Sequence, residues 1–100
     1  MPAGVPAVEK VYRSFKDQDV RFVGIFVRDR EDAVRKFTKT YGISFPVGLD
    51  EGMKIAKAYK FVGTPFTVVL SKNGQIVDHR AGPQSEKALR EKIEKALKMN

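Results

Sequence analysis

FVGTPFTVVLSKNGQIVDHRAG, Phe61 to Gly82, decides how the rest of this chain reads. Gly63-Thr64-Pro65 breaks the chain sharply, and a continuous apolar run, Phe66 to Leu70, follows. That run is short and rich in β-branched and aromatic residues, which suits a strand buried on both faces better than a helix. Thr67 and Val69 then face one way, Val68 and Leu70 the other. Asn73-Gly74 supplies the left-handed turn residues of a tight hairpin, and Gln75 to Arg80 returns as a second strand. Both faces of the first strand need covering, so helices must flank it.

The flanking sequence provides them. Downstream, Ser85 caps a helix whose Leu89, Ile93 and Leu97 recur every four residues, with Ala88 and Ala96 alongside. Upstream, a short helix from about Glu51 to Tyr59 groups Met53, Ala56 and Tyr59. Ile43 to Leu49 is apolar but interrupted by Pro46 and Gly48, which reads as an extended edge or loop. A helix opened by Asp29 carries Ala33, Val34, Phe37 and Tyr41 on one face and stops at Gly42. Val20 to Val27 alternates as a strand, with Val23, Ile25 and Val27 on one face and Phe22 and Phe26 on the other. Residues 4–17 form an amphipathic helix through Val5, Val8, Tyr12 and Phe15, with Pro6 in its first turn. The predicted order is α, β, α, short extended segment, α, β, β, α. This is an α/β chain with a mixed sheet of about three strands and helices packed on it.

Composition narrows the function classes. One hundred residues fit one domain, 1–100, and a 42% apolar share fills its core. No run of about eighteen apolar residues offers a membrane span. The first ten residues lack the basic start and apolar middle of a signal peptide, so any export signal is expected outside this sequence. The net charge of +7 raises nucleic acid as a partner. Yet the basic residues are interleaved with acids, as in SEKALREKIEKALK, and solvated helix faces explain them more simply. The absence of cysteine removes thiolate chemistry and thiolate metal sites from these residues. No carboxylates are patterned around His79, the single histidine, so no metal or cofactor is expected, and His79 reads as a solvated side chain on an edge strand.

Tyr41-Gly42-Ile43, then Phe45-Pro46-Val47, Leu49-Asp50 and Gly63-Thr64-Pro65 before the apolar strand, form a set rather than isolated words. In that combination the chain resembles the thioredoxin fold of the ResA/TlpA type, extracytoplasmic thiol-disulfide oxidoreductases related to thioredoxin and the peroxiredoxins. The resemblance covers nearly the whole chain. It implies that Pro65 matches the family's cis-proline beside the redox cysteines, and that Thr64, flanked by Gly63, offers backbone to a substrate peptide. It also places Asp29 where these proteins carry a glutamate that manages thiol protons. The plainer readings are a helix cap for Asp29, which ranks first, and an ordinary turn for Thr64-Pro65. An extracytoplasmic or periplasmic location is a family expectation only.

The departure from the family is as informative. The family motif is a strand, then Cys-x-x-Cys, then a proline-containing helix start, and Met1-Pro2 resembles the segment just past the second cysteine. The sequence therefore reads as a thioredoxin-like domain truncated at its N-terminus, without the strand that lies between Val20–Val27 and Phe66–Leu70 in the family. Two apolar edges are left, and they predict one of three repairs: direct pairing of the two strands, a homodimer through the unpaired edges, or, least readily, filling by the residues before Val5. Three functions follow. The first is a portion of a thiol-disulfide oxidoreductase acting on thiol or disulfide protein substrates, not redox-competent by itself. The second is a cysteine-free peptide-binding module, and the third a basic protein that contacts acidic partners or nucleic acid through its Lys-rich last helix.

Overall fold

A computed structural model describes residues 4–61, 63 and 65–99. The chain separates into two compact units, Met1–Val20 with Val62–Asn100, and Arg21–Phe61.

In the first unit, helix α1 spans Val5–Phe15, with Pro6 in the opening turn where its missing N–H costs least. Its buried residues are Val11, Phe15 and Glu9. The predicted face was Val5, Val8, Tyr12 and Phe15; of these only Phe15 is fully buried, and Val11 replaces Tyr12 as the central contact. Glu9 is tolerated inside because the Nε of Arg13, one turn on, donates to its carboxylate at 2.6 Å. Strands β3 (Phe66–Leu70) and β4 (Ile76–Ala81) form an antiparallel hairpin with Val68 opposite His79. Helix α4 (Glu86–Leu97) packs on α1 and on both strands, burying Leu89 and Ile93.

The hairpin tip differs from the two-residue turn expected at Asn73-Gly74. The Gly74 N–H donates to the Ser71 carbonyl, so Lys72 and Asn73 form the corner, and only Gly74, at φ 82°, is left-handed there. The Ser71 N–H donates to the Gln75 carbonyl, and the register slips between Val69 and Leu70. A tight turn followed by a left-handed glycine is the longer hairpin solution. It is favoured here because the buried Ser71 hydroxyl accepts from the Gln75 N–H at 3.2 Å.

Helix α4 starts as predicted: Ser85 is extended and its hydroxyl accepts from the Ala88 N–H at 3.1 Å. Ser85→Ala is expected to lower stability by about 1 kcal/mol, read as a shifted urea midpoint with an unchanged slope. An unshifted midpoint would show that water replaces the cap at no cost.

In the second unit, β1 (Gly24–Val27) pairs in parallel with β2 (Val47–Asp50), Gly24 opposite Val47 and Val27 opposite Asp50. Helix α2 covers Glu31–Thr40 and helix α3 covers Lys54–Ala58, the latter preceded by a single 3₁₀ turn, Glu51–Met53. The Phe26 and Phe37 rings meet edge to face at 5.4 Å, and Phe37 stacks on to Tyr41 at 4.6 Å, which ties α2 to β1. Helix α2 ends where Gly42 predicted: at φ 62°, its N–H donates to the Lys39 carbonyl and that of Ile43 to the Thr38 carbonyl.

The segment read as a broken edge or loop is a strand. Pro46 precedes it, and the carbonyl of Pro46 accepts from the Gly24 N–H at 2.8 Å, so the missing proline N–H is not needed by the ladder. Gly24 itself has no room for a side chain, since a Cβ there would lie 2.9 Å from the Phe45 ring and 3.1 Å from Val47. The expected mixed sheet of about three strands is, among the described residues, two sheets of two strands, β1-β2 and β3-β4. Among the described residues β1 takes β2 as its strand neighbour and β3 takes β4, each within its own unit. Strand β3 buries only Val69 completely, and Leu70 is 42% exposed rather than covered.

Candidate functional site

The loop before β3 contains the residues singled out for substrate binding. Thr64 lies outside the described residues. Pro65 is half-buried, and its carbonyl accepts from the Gly82 N–H at 2.8 Å, which extends the β3-β4 ladder by one bond beyond its last pair. Gly82 is left-handed at φ 95°, so the end of the hairpin is clasped by a glycine rather than by side chains. A Cβ built on Gly63 would meet nothing within 4 Å, leaving open space beside the loop. Next along, the rings of Phe66 and His79 lie tilted at 44° with centroids 6.3 Å apart, and His79 is exposed, as read from its place on an edge strand. Gly63 and Pro65 carry no nucleophile, acid or base. Such a loop can shape a groove and offer backbone groups; it cannot itself break a bond.

Asp29 belongs to the other unit. It is exposed, and it is not the N-cap of α2: Arg30 holds that position in extended backbone, with no side-chain cap. The Asp29 carboxylate instead accepts from the Arg30 N–H at 2.9 Å. Arg28, at φ 56°, turns the chain directly after β1, and the N-cap falls one residue later than expected, at Arg30. Arg28 is held there by its Nε, 3.1 Å from the Met53 sulfur.

Two polar clusters escaped the sequence reading. Asp50, at the end of β2 and 5% exposed, accepts from the Ile55 N–H (2.9 Å) and the Ala56 N–H (2.8 Å). A carboxylate a few residues before a short apolar-periodic segment was the available signal. In the first unit, the Lys92 ammonium lies 3.1 Å from the Asp78 carboxylate and also donates to Gln84, which fastens α4 to β4. Both clusters hold elements in place. Among the described residues no three His, Asp or Glu side chains converge as metal ligands would, and no helix is long and apolar enough to cross a membrane.

Known proteins supply the context. The family profile described as Redoxin matches residues 2–97, running through both units. The thiol-disulfide oxidoreductase ResA of Halalkalibacterium halodurans is 31% identical over 90 residues, which is 90% of this chain and 51% of that protein. ResA of Bacillus subtilis is 33% identical over 81 residues, 81% of this chain and 45% of the relative. The chain thus spans about half the length of the curated relatives it matches. The crystal structure of a thioredoxin-family thiol:disulfide interchange protein from Chlorobium tepidum superposes with a TM-score of 0.81 over 93% of this chain and 68% of that one, at 24% identity. The fold is thioredoxin-like α/β.

Proposed function

The chain belongs to the Redoxin family, and on that footing we propose that it is the substrate-facing portion of a thiol-disulfide oxidoreductase. In this reading the two units act as one thioredoxin-like domain. The loop at Gly63, Thr64 and Pro65 lies along an extended stretch of a protein substrate, offering backbone groups while Pro65 keeps the wall free of a competing N–H. The observation that carries the reading is the profile match through residues 2–97.

With no cysteine among the 100 residues, the thiol pair has to come from another segment or another chain. One thiolate of that pair attacks a substrate disulfide sulfur, the leaving thiolate departs, and the second thiol resolves the mixed disulfide. The substrate gains two electrons as the pair becomes a disulfide. Asp29 is proposed as a proton acceptor for that pair, supported by its position in the family pattern.

The test is a fusion of this chain behind the strand and Cys-x-x-Cys segment of a ResA relative, assayed by insulin disulfide reduction. The fusion is expected to turn over and the unfused chain not to. Pro65→Ala in the fusion should lower kcat/KM about ten- to a hundredfold, because displacing the wall misplaces the disulfide. A folded but inert fusion sinks the whole reading, whereas full activity with Pro65→Ala sinks only the role of the loop. An unchanged pH–rate profile in Asp29→Asn removes Asp29.

The absence of cysteine favours one second reading, a thioredoxin-like module that binds peptides through the same loop without redox chemistry. Binding of an extended peptide by the unfused chain, with amide shifts centred on residues 63–65, distinguishes it. In either reading a homodimer is the proposed answer to the edges of β1 and β3 that have no strand partner among the described residues. A mass by sedimentation that stays monomeric at every concentration rules the dimer out.

A further inference from the structure

A second open edge lies in the Arg21–Phe61 unit, and it is built differently. Among the described residues strand β2 pairs only with β1. Because the Pro46 carbonyl accepts from Gly24, alternation along the strand turns Val47 and Leu49 the other way, so their N–H and C=O groups point out of the sheet. Neither residue's backbone has a partner among the described residues. Beside this edge runs an open groove of about 450 Å³ whose walls include Val34, Thr38, Ile43 and Val47, with Arg35 and Lys39 at its rim. Its lining comes from α2, the segment that follows α2 and Val47 of β2, with no β1 residue among them. Gly42 keeps one end clear, since a Cβ there would touch nothing within 4 Å.

From this juxtaposition we infer that β2 and the groove form a docking surface for an extended polypeptide segment of a partner protein whose every second side chain, the set on one face, is in turn apolar and acidic. Its backbone adds to the Val47 and Leu49 edge, and from that one face its apolar side chains enter between Val34, Ile43 and Val47 while its carboxylates meet Lys39 and Arg35. The charge argument selects this occupant. Arg35 already pairs with Glu31, but Lys39 makes no ion pair among the described residues. The whole unit carries nine Lys and Arg against five Asp and Glu, so a second copy would bring like charge to like. The openness of the groove argues against a fatty acid, because small ligands are taken into sites that enclose most of their surface. The inference stands apart from the redox reading and needs no thiol.

The probe is a capped hexapeptide, Val-Thr-Glu-Thr-Val-Thr, which sets two valines and a glutamate on one face, titrated at low salt into the isotopically labelled 100-residue chain and followed by amide chemical shifts. Binding is expected, with the largest shifts at Val47, Leu49 and the neighbouring Gly42 and Ile43. Lys39→Glu, a change at an exposed side chain, should weaken it about tenfold. Methylating the peptide nitrogens that face β2 should weaken it by about as much again, since those bonds then cannot form. The proposal is overturned by any of four results: no binding, equal binding of the peptide with Lys in place of Glu, equal affinity of the N-methylated peptide, or shifts centred elsewhere. Decanoate producing the same shifts more tightly would make this an acyl-anion site and overturn it too. So would concentration-dependent shifts at Val47 and Leu49 without peptide, which would mark self-association.

Discussion

Phe15→Ala is expected to remove about 3–5 kcal/mol from the stability of the chain, the largest loss from any single truncation considered. Phe15 is 4% exposed and shares the core of its unit with Val11, Val69, Leu89 and Ile93, all of them under a tenth exposed. Helix α1 reaches α4 through this cluster, and α4 in turn covers both strands of the hairpin, so a cavity at Phe15 sits where three elements meet. A second contribution comes from Arg90, whose guanidinium lies 5.9 Å from the ring centroid. That cation–π contact at a partly exposed side chain is worth about 0.5–1 kcal/mol, well below the cavity and transfer cost. Arg90→Met therefore separates the two: it should lower stability by under about 1 kcal/mol and leave the ring packed. Urea titration is the measurement, with a lower midpoint and an unchanged slope. A domain of this size has about 5–15 kcal/mol in total, so Phe15→Ala should remove a large share of it. A loss below about 1 kcal/mol would mean that α1 does not close this core.

What could be read from the sequence divides along physical lines. Signals that act over one turn were legible: the Ser85 hydroxyl capping α4, Gly42 in the left-handed stop of α2, and the β-branched run of β3 all lie where local chemistry put them. Signals that depend on a distant partner were not. The Val47–Asp50 strand was hidden by Pro46 and Gly48, because only the carbonyl bonded to Gly24 reveals that the proline stands just outside the ladder. The left-handed turn at Arg28 moved the N-cap of α2 off Asp29, and nothing in an Arg-Asp-Arg run announces such a turn. Glu9 broke the apolar face of α1 because Arg13 neutralises it within the same helix. The burial of β3 on both faces was a statement about what packs on those faces, and only Val69 of the strand is fully enclosed. At the candidate site, Pro65 was legible as punctuation, while the Gly82 clasp that fixes its carbonyl is a contact between residues seventeen positions apart.

Asp50→Ala should cost about 2–4 kcal/mol, concentrated on α3, because one carboxylate there does the work of an absent cap. The residue in the N-cap position, Met53, is left-handed at φ 58° and makes no side-chain cap. The N–H groups of Ile55 and Ala56, second and third in the helix, are the ones a cap would normally receive. They are taken instead by the two oxygens of Asp50, across the intervening turn at Glu51–Met53. Asp50 is buried and so is Ala56, so water reaches these groups poorly once the carboxylate is gone. Five residues of helix cannot hold themselves, since propagation over so few bonds does not offset nucleation. The expected readout is amide hydrogen exchange: Ile55 and Ala56 should lose protection first, together with the Tyr59 and Phe61 amides that close the end of the helix on Ile55 and Ala56. Asp50→Asn keeps one acceptor oxygen and loses the charge, so it should recover about half of the loss. Full recovery would assign the effect to shape rather than charge. Exchange that rises uniformly through the chain, with no early loss at Ile55 and Ala56, would show that Asp50 supports the unit as a whole and does not act as the cap of α3.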